Sequence, residues 1–399
     1  MSRLLRPVLM RSDVEGHRPA TTLELLFDLC FVVAVAALAA ELHHDLSHDH
    51  VVDGSITYAL LFVPIWWAWM SYSWFATAFD NDDVGFRLLT GAQMLGVLGV
   101  AATIPAAAQG DYAVFTVAYT LMRLPLVVQW LRAAHDDPAH RRFAQRYALG
   151  TLAAQSLWLA GLLVPEPARP LIWITALAVE LGTPMLAVRA APGRVFHPGH
   201  ITERYGLFTI IVLGETILAV SVAIRDSLAV DQLAGPGLLT ATAALLIAFA
   251  LWWTYFDSVG AEGLTRNRRA AFTWGYGHYV LFAAIAAIGA ATQAQIELYV
   301  AGEDPSSAPL GVAVTLALLA MAGLQRTANG RTHRATTLLA TAAATALVTL
   351  LGAALAVTAT DALLVVALAG GIIADLAHSH RDDPNRASAS HPNHAAPQP

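Results

Sequence analysis

Apolar runs of about twenty residues recur from residue 21 to residue 377, and they constrain the fold more than any other feature of the chain. A hydrocarbon layer about 30 Å thick takes about 20 helical residues to cross, and inside lipid every backbone N–H and C=O must be satisfied within the segment. Barrel strands would alternate residue by residue, which these runs do not. The pattern predicts an all-α polytopic membrane protein with spans at 21–42, 55–78, 86–108, 111–133, 144–164, 170–190, 203–225, 236–257, 276–300, 308–324, 334–357 and 359–377. That makes about 12 transmembrane helices. Ten or eleven are also allowed, because only Thr358 to Asp361 separates the last two.

The charge distribution supplies a topology. Only 13% of the 399 residues are charged and 56% are hydrophobic, against about 25% charged in soluble domains. All 23 basic residues are arginine. With the N-terminus inside, 20 of them fall on the cytoplasmic side, Arg169 and Arg225 fall outside, and Arg123 lies within helix 4. The positive-inside rule then puts both termini in the cytoplasm. A net charge of -6 without a concentrated basic face argues against nucleic acid as a partner. The single cysteine, Cys30, excludes an internal disulfide framework.

Four units are expected: a cytoplasmic lead-in over 1–20, whose Pro7 to Met10 patch is expected at the membrane surface, six-helix units over 21–190 and 191–377, and a disordered cytoplasmic tail over 378–399. The tail is polar and proline-rich, too poor in apolar residues to build a core. An offset of 186 residues carries Trp66-Trp67 onto Trp252-Trp253, Phe86 onto Phe272 and Gly91 onto Gly277. Two six-helix copies inserted in the same orientation would be parallel repeats, as in some transporters.

Ionisable residues inside the runs carry the functional reading, since charge in hydrocarbon normally faces protein or water and has a partner. Asp28 lies one turn above Glu24 on helix 1, and Glu215 sits within ERYGLFTIIVLGETILAV. Arg123 and Glu180 are the other deep charges, with Asp28, Glu180 and Glu215 as candidate partners for Arg123. These four, Asp28, Arg123, Glu180 and Glu215, are expected to form an ion or proton pathway. Glu24, His200, Glu203, Arg204, Asp257 and His278 approach the same membrane surface and are expected to form a cytoplasmic polar cluster, with Glu262 nearby. Helix capping by Thr21 or Thr22 is the alternative role for Glu24. Two histidines with carboxylates also suit a metal ion, though their spacing is no ligand signature. His43, His44, Asp45, His48, Asp49, His50 and Asp53 crowd the first outer loop, either as a weak divalent-cation site or as a solvated loop. Trp66, Trp67, Trp69 and Trp74 are expected either to line a passage or to anchor helix 2 at the membrane interface.

Several segments together resemble the bacterial low temperature requirement A family. They are Glu24-Leu25-Leu26-Phe27-Asp28-Leu29 with Phe31-Val32, Trp66-Trp67-Ala68-Trp69 with its downstream aspartates, Arg123 in Met-Arg-Leu, His200 to Phe208 followed by Leu213-Gly214-Glu215, Trp252 to Asp257, and Tyr276-Gly277-His278. The resemblance covers about residues 18 to 377. Leu26 stands where the family more often has phenylalanine. It implies a multi-pass protein of the bacterial cytoplasmic (inner) membrane, and the family name records a growth phenotype linked to stress rather than a reaction. A fainter resemblance, through Phe27-Asp28, links helix 1 to a lysosomal and bacterial potassium-channel family built from two six-helix repeats.

The resulting expectation is a transporter or channel-like protein that moves an ion or small solute, proton-linked through buried carboxylates. A membrane-embedded metal-dependent enzyme and a non-transporting stress or assembly protein are the alternatives. Phosphate-loop, HExxH and GxSxG motifs are missing from the sequence, so an enzyme is the less favoured reading. No cofactor beyond a metal ion is expected, and the partners are the bilayer, the solute and a second copy in a homodimer.

Overall fold

The computed structural model describes residues 5–11, 18–229, 235–258, 264, 268–328 and 332–381. Twelve α-helices occupy most of them: α1 (Thr22–Ser47), α2 (Val51–Phe79), α3 (Val84–Ala108), α4 (Ala113–Asp136), α5 (Arg141–Leu162), α6 (Arg169–Val188), α7 (Pro198–Ala229), α8 (Gly235–Ser258), α9 (Arg268–Ala301), α10 (Ala308–Ala328), α11 (Thr332–Leu351) and α12 (Val357–Arg381). Eleven of them are long and apolar enough to cross a membrane. The exception is α5, whose sequence includes Arg141, Arg142, Gln145, Arg146 and Gln155. A 3-10 turn at Gly352–Ala354 separates α11 from α12.

Five helices, α1, α4, α7, α10 and α12, run three or more residues past their expected ends. Helix α1 continues through His43, His44 and Asp45 to Ser47, and Asp49, at a φ of 62°, lies in the turn before α2. The polar tail expected from residue 378 begins later, because α12 continues to Arg381; residues 382–399 and Glu262 lie outside the described residues.

The bundle is apolar outside, and its apolar core encloses a set of charged and polar side chains. Leu88, Leu95, Leu121 and Leu149 are exposed, whereas Glu24, Asp28, Gln93, Gln129 and Arg123 are buried. That polarity suits a lipid solvent, where leucine costs nothing on the outside and charge must be kept among protein partners. Helices α1, α7 and α9 pack on one another at the centre, and α2 touches α1, α7 and α9. Pairs α3–α4, α4–α5 and α5–α6 extend the bundle on one side; α9–α10, α10–α11, α11–α12 and α12–α8 extend it on the other.

Its central position explains the aromatic content of α2. Trp66, Trp67 and Trp69 are packed inside the protein rather than at the membrane interface, with Trp69 stacked on Phe208 at 4.2 Å. Trp252, at the equivalent place in the 186-residue echo, is 42% exposed. Close approach elsewhere depends on a missing side chain. A Cβ on Gly96 would lie 2.6 Å from Met122 Cβ and 2.7 Å from its Cα, so α3 and α4 meet with only a hydrogen between them.

The lead-in is tied to helix ends. Backbone N–H groups of Arg6, Val8 and Met10 each donate at 2.9 Å, to Oδ2 of Asp83, Asp136 and Asp137 in turn. Alternate residues of an extended chain point the same way, so three aspartates capture one edge of this segment. Within the Pro7 to Met10 patch Val8 is buried and Met10 half-buried, whereas Pro7 and Leu9 are exposed.

Candidate functional site

The first turn of α1 builds one side of a buried cage. Thr21 caps the helix: its Oγ accepts from Glu24 N at 3.2 Å, and Glu24 Oε2 accepts from Thr21 N at 2.8 Å. This reciprocal arrangement satisfies two helix-end donors and fixes the Glu24 carboxylate. From α7, His200 Nε2 lies 3.3 Å from Glu24 Oε2, and Arg204 Nη1 lies 3.0 Å from Glu24 Oε1. One turn further along α1, Asp28 Oδ1 accepts from Arg204 Nη2 at 2.5 Å and from Trp69 Nε1 at 2.7 Å. Ser73 Oγ also accepts from Arg204 Nη2, at 3.3 Å. Four-residue spacing places Glu24 and Asp28, and likewise His200 and Arg204, on facing sides of two helices.

All four side chains are 0% exposed. Two carboxylates face one guanidinium, which leaves the cage one positive charge short unless His200 or a carboxyl holds a proton. Asp28 Oδ2 and His200 Nδ1 are sealed from solvent with no hydrogen-bond partner among the described residues. Beside the cage, Arg18 pairs with Asp80 at 3.1 Å and donates to Thr77 O at 3.0 Å. Burial raises the Asp80 carboxyl above its ordinary value; the Glu24 charge adds to this, while Arg18 and Arg11 oppose it.

The other residues expected at this surface are distributed differently. Glu203 Oε1 accepts from Ala20 N at 3.2 Å and steadies the entry to α1. His278 is buried apart from the cage, with Nδ1 donating to Trp274 O at 2.8 Å and Nε2 accepting from Tyr255 OH at 3.1 Å. Asp257 does not join it. It sits exposed at the end of α8, where its carboxylate accepts from Trp253 Nε1 at 2.8 Å and its carbonyl accepts from Arg334. Helix ends at one level of a bundle need not share an inner face, which accounts for the separation.

A second buried pair joins α4 to α6. Arg123 Nη2 lies 3.4 Å from Glu180 Oε1, so Glu180 is its partner of the three candidates. Glu180 also accepts from Tyr119 OH at 2.9 Å, Gln155 Nε2 at 3.2 Å and Trp158 Nε1 at 3.1 Å. Glu215 is in neither group. It is half-buried in a groove between α1, α7 and α9, next to Ala39, Gly289 and Gln293, and no described residue hydrogen-bonds to it. The four deep charges are therefore not one continuous row.

A cavity of about 210 Å³ lies between the cage and the second pair, walled by Trp74, Tyr147, Phe196, Phe272 and Tyr276 with Arg194 at its edge. Lining residue Ser71 accepts from Arg123 Nη2 at 3.2 Å, a direct contact with the second pair, whereas the link to the cage is indirect: Trp74 Nε1 donates at 3.0 Å to Tyr205 OH, and the Tyr205 ring packs on Trp69, the donor to Asp28. At about 30 Å³ per water molecule it has the capacity of about seven waters.

In the last two turns of α1, His43 Nε2 meets Glu297 Oε2 at 2.5 Å, which ties α1 to α9. No group of three or more His, Cys, Asp or Glu with metal-holding geometry occurs among the described residues. Sequence reasoning gave Arg18 and Asp361 no site role and named Asp80 only among the aspartates that follow the tryptophans of α2. Asp361 gave one signal, a carboxylate in the short polar interruption before the last span.

A family model described as bacterial low temperature requirement A protein matches residues 19–370. An uncharacterized protein of Rhizobium meliloti is 28% identical over 285 residues, which cover 67% of this chain and 68% of that protein.

Proposed function

The chain belongs to the bacterial low temperature requirement A family, and we propose that it is a proton-linked transporter or channel-like protein whose proton is held by the Glu24, Asp28, His200 and Arg204 cage. The observation that carries this reading is the charge count: two sealed carboxylates against one guanidinium. An unpaired charge excluded from water is costly, and a proton on His200 or on Asp28 removes the deficit. Carboxylates and histidines in such positions are the groups from which membrane proton relays are built.

The aromatic cavity is the candidate solute site. Its walls suit a small apolar molecule, Arg194 favours one with a negative charge, and its two polar links would connect occupancy to both charged networks. The arginine distribution supports a cytoplasmic membrane location with the cage near the cytoplasmic side. Recurrence of the pairs α1–α3, α3–α4, α4–α5 and α5–α6 as α7–α9, α9–α10, α10–α11 and α11–α12 supports two parallel six-helix copies.

The test is flux into proteoliposomes carrying an internal pH dye, scanned over K⁺, Na⁺ and small organic anions, with the His200→Gln, Asp28→Asn and Glu215→Gln proteins alongside. Solute-dependent proton movement in the wild type, lost in His200→Gln or Asp28→Asn protein that still melts cooperatively, is the expected result. Proton movement that survives both cage variants overturns the cage assignment. Absence of flux across the scan, with folded wild type, leaves the charges as helix-joining groups only.

A further inference from the structure

One buried carboxylate, Asp361, has no part in that reading. Asp361, in the second turn of α12, is 1% exposed and has neutral partners from three other places in the bundle. Thr240 Oγ1 of α8 donates to Oδ2 at 3.0 Å, and Ser307 Oγ, just before α10, donates to Oδ1 at 3.1 Å. Gln295 Nε2 of α9 lies 3.5 Å from Oδ1, at the limit of a hydrogen bond. Among the described residues no arginine or histidine pairs with Asp361. Gln295 follows His278 by 17 positions on α9, about 25 Å of helical rise, and it is His278, not Gln295, whose ring packs on Tyr205 beside Arg204.

Gln295 gives a second and independent indication. Its side chain is 2% exposed, yet Oε1 has no hydrogen-bond partner, while Nε2 makes only long contacts to Asp361 and to Ser306 O at 3.3 Å. An amide's oxygen and nitrogen exchange places by a half-turn. Turned, Oε1 would face the Asp361 carboxylate, an arrangement that repels unless a cation lies between them. The hydroxyl oxygens of Thr240 and Ser307 have lone pairs for the same centre. The Val357 carbonyl, where α12 starts after the 3-10 turn, is 3.3 Å from Ser307 Oγ. Backbone carbonyls at interrupted helices coordinate Na⁺ in transporters.

We infer that Asp361, Thr240, Ser307 and Gln295 form a binding site for a small monovalent cation, Na⁺. The donors are hard oxygens carrying one formal negative charge, which suits an alkali cation better than Zn²⁺ with its nitrogen and sulfur ligands. One carboxylate is too little charge for tight Ca²⁺ binding.

The experiment is equilibrium binding of radiolabelled Na⁺ to the detergent-purified full chain, with thermal melts in NaCl, KCl and choline chloride at one ionic strength. Saturable binding near one ion per chain, weak displacement by K⁺, and a melting temperature that rises with Na⁺ alone are expected. Asp361→Asn should abolish both effects, and Thr240→Val should weaken binding at least tenfold. Indistinguishable wild-type melts in the three salts with no saturable binding overturn the site, a conclusion that requires no variant to fold. Equal displacement by K⁺ overturns the sodium assignment. Neither measurement uses flux, so the outcome is independent of proton-linked transport.

Discussion

Arg204 Nη2 and Asp28 Oδ1 lie 2.5 Å apart across 176 residues of sequence, and both side chains are sealed from solvent. Removing one member of such a pair leaves the other charged and buried, which costs about 3–5 kcal/mol. Arg204→Ala, which strands both Glu24 and Asp28, should therefore lower the melting temperature in detergent far more than Arg87→Ala at an exposed pair. Equal effects of the two substitutions would contradict the burial argument.

The α4–α6 pair should behave as a unit. Arg123→Met and Glu180→Gln each leave an unmatched partner, whereas the double variant removes both charges. Its loss of stability should be smaller than the sum of the single losses by about 0.5–3 kcal/mol, the range found for residues in direct contact. A thermal or denaturant double-mutant cycle measures this coupling directly.

At Gly96 the expectation is steric. A methyl group there meets Met122 backbone as well as side chain, so Gly96→Ala should cost about 1–3 kcal/mol by forcing α3 away from α4. Gly91→Ala, on the same helix with nothing within 4 Å of the added carbon, should be neutral or slightly stabilising. Melts of the two variants provide the comparison.

Stability should fall on acidification through the lead-in. Burial acts to raise the Asp83 carboxyl, but Arg132 and the N–H groups of Arg6 and Phe86 outweigh it and hold the group below its ordinary value of 3.8. Asp137 is likewise held low against burial by Met10 N–H and His140. A carboxyl with a depressed folded pKa contributes fully above its unfolded value and loses that contribution as pH falls through the folded one. Wild type should thus lose stability below about pH 4, and Asp83→Asn should flatten that fall. A melting-temperature profile with the same acid slope in both proteins would remove Asp83 from the explanation.

Helix positions were legible because lipid imposes one length and one polarity on every span. Deep charges were legible for the same reason, since Glu24, Asp28, Arg123 and Glu180 stand out against apolar neighbours. Their pairing was not. Helical spacing fixes which residues share a face, but only bundle packing decides that α1 meets α7 through Glu24 and Asp28 while Asp257 of α8 faces outward. The four tryptophans were ambiguous because the same residue serves lipid interfaces and protein cores, and the central place of α2 decided for the core at three of them. Asp361 was overlooked because its partners are threonine, serine and glutamine, which no charge pattern marks.

The alternate donors of the lead-in also order events during biosynthesis. Residues 6–10 are translated first, yet two of their three acceptors are Asp136 and Asp137. At about 5–20 residues per second, some 6–25 seconds pass before those carboxylates exist, so this segment cannot be fastened in place until α4 has been made.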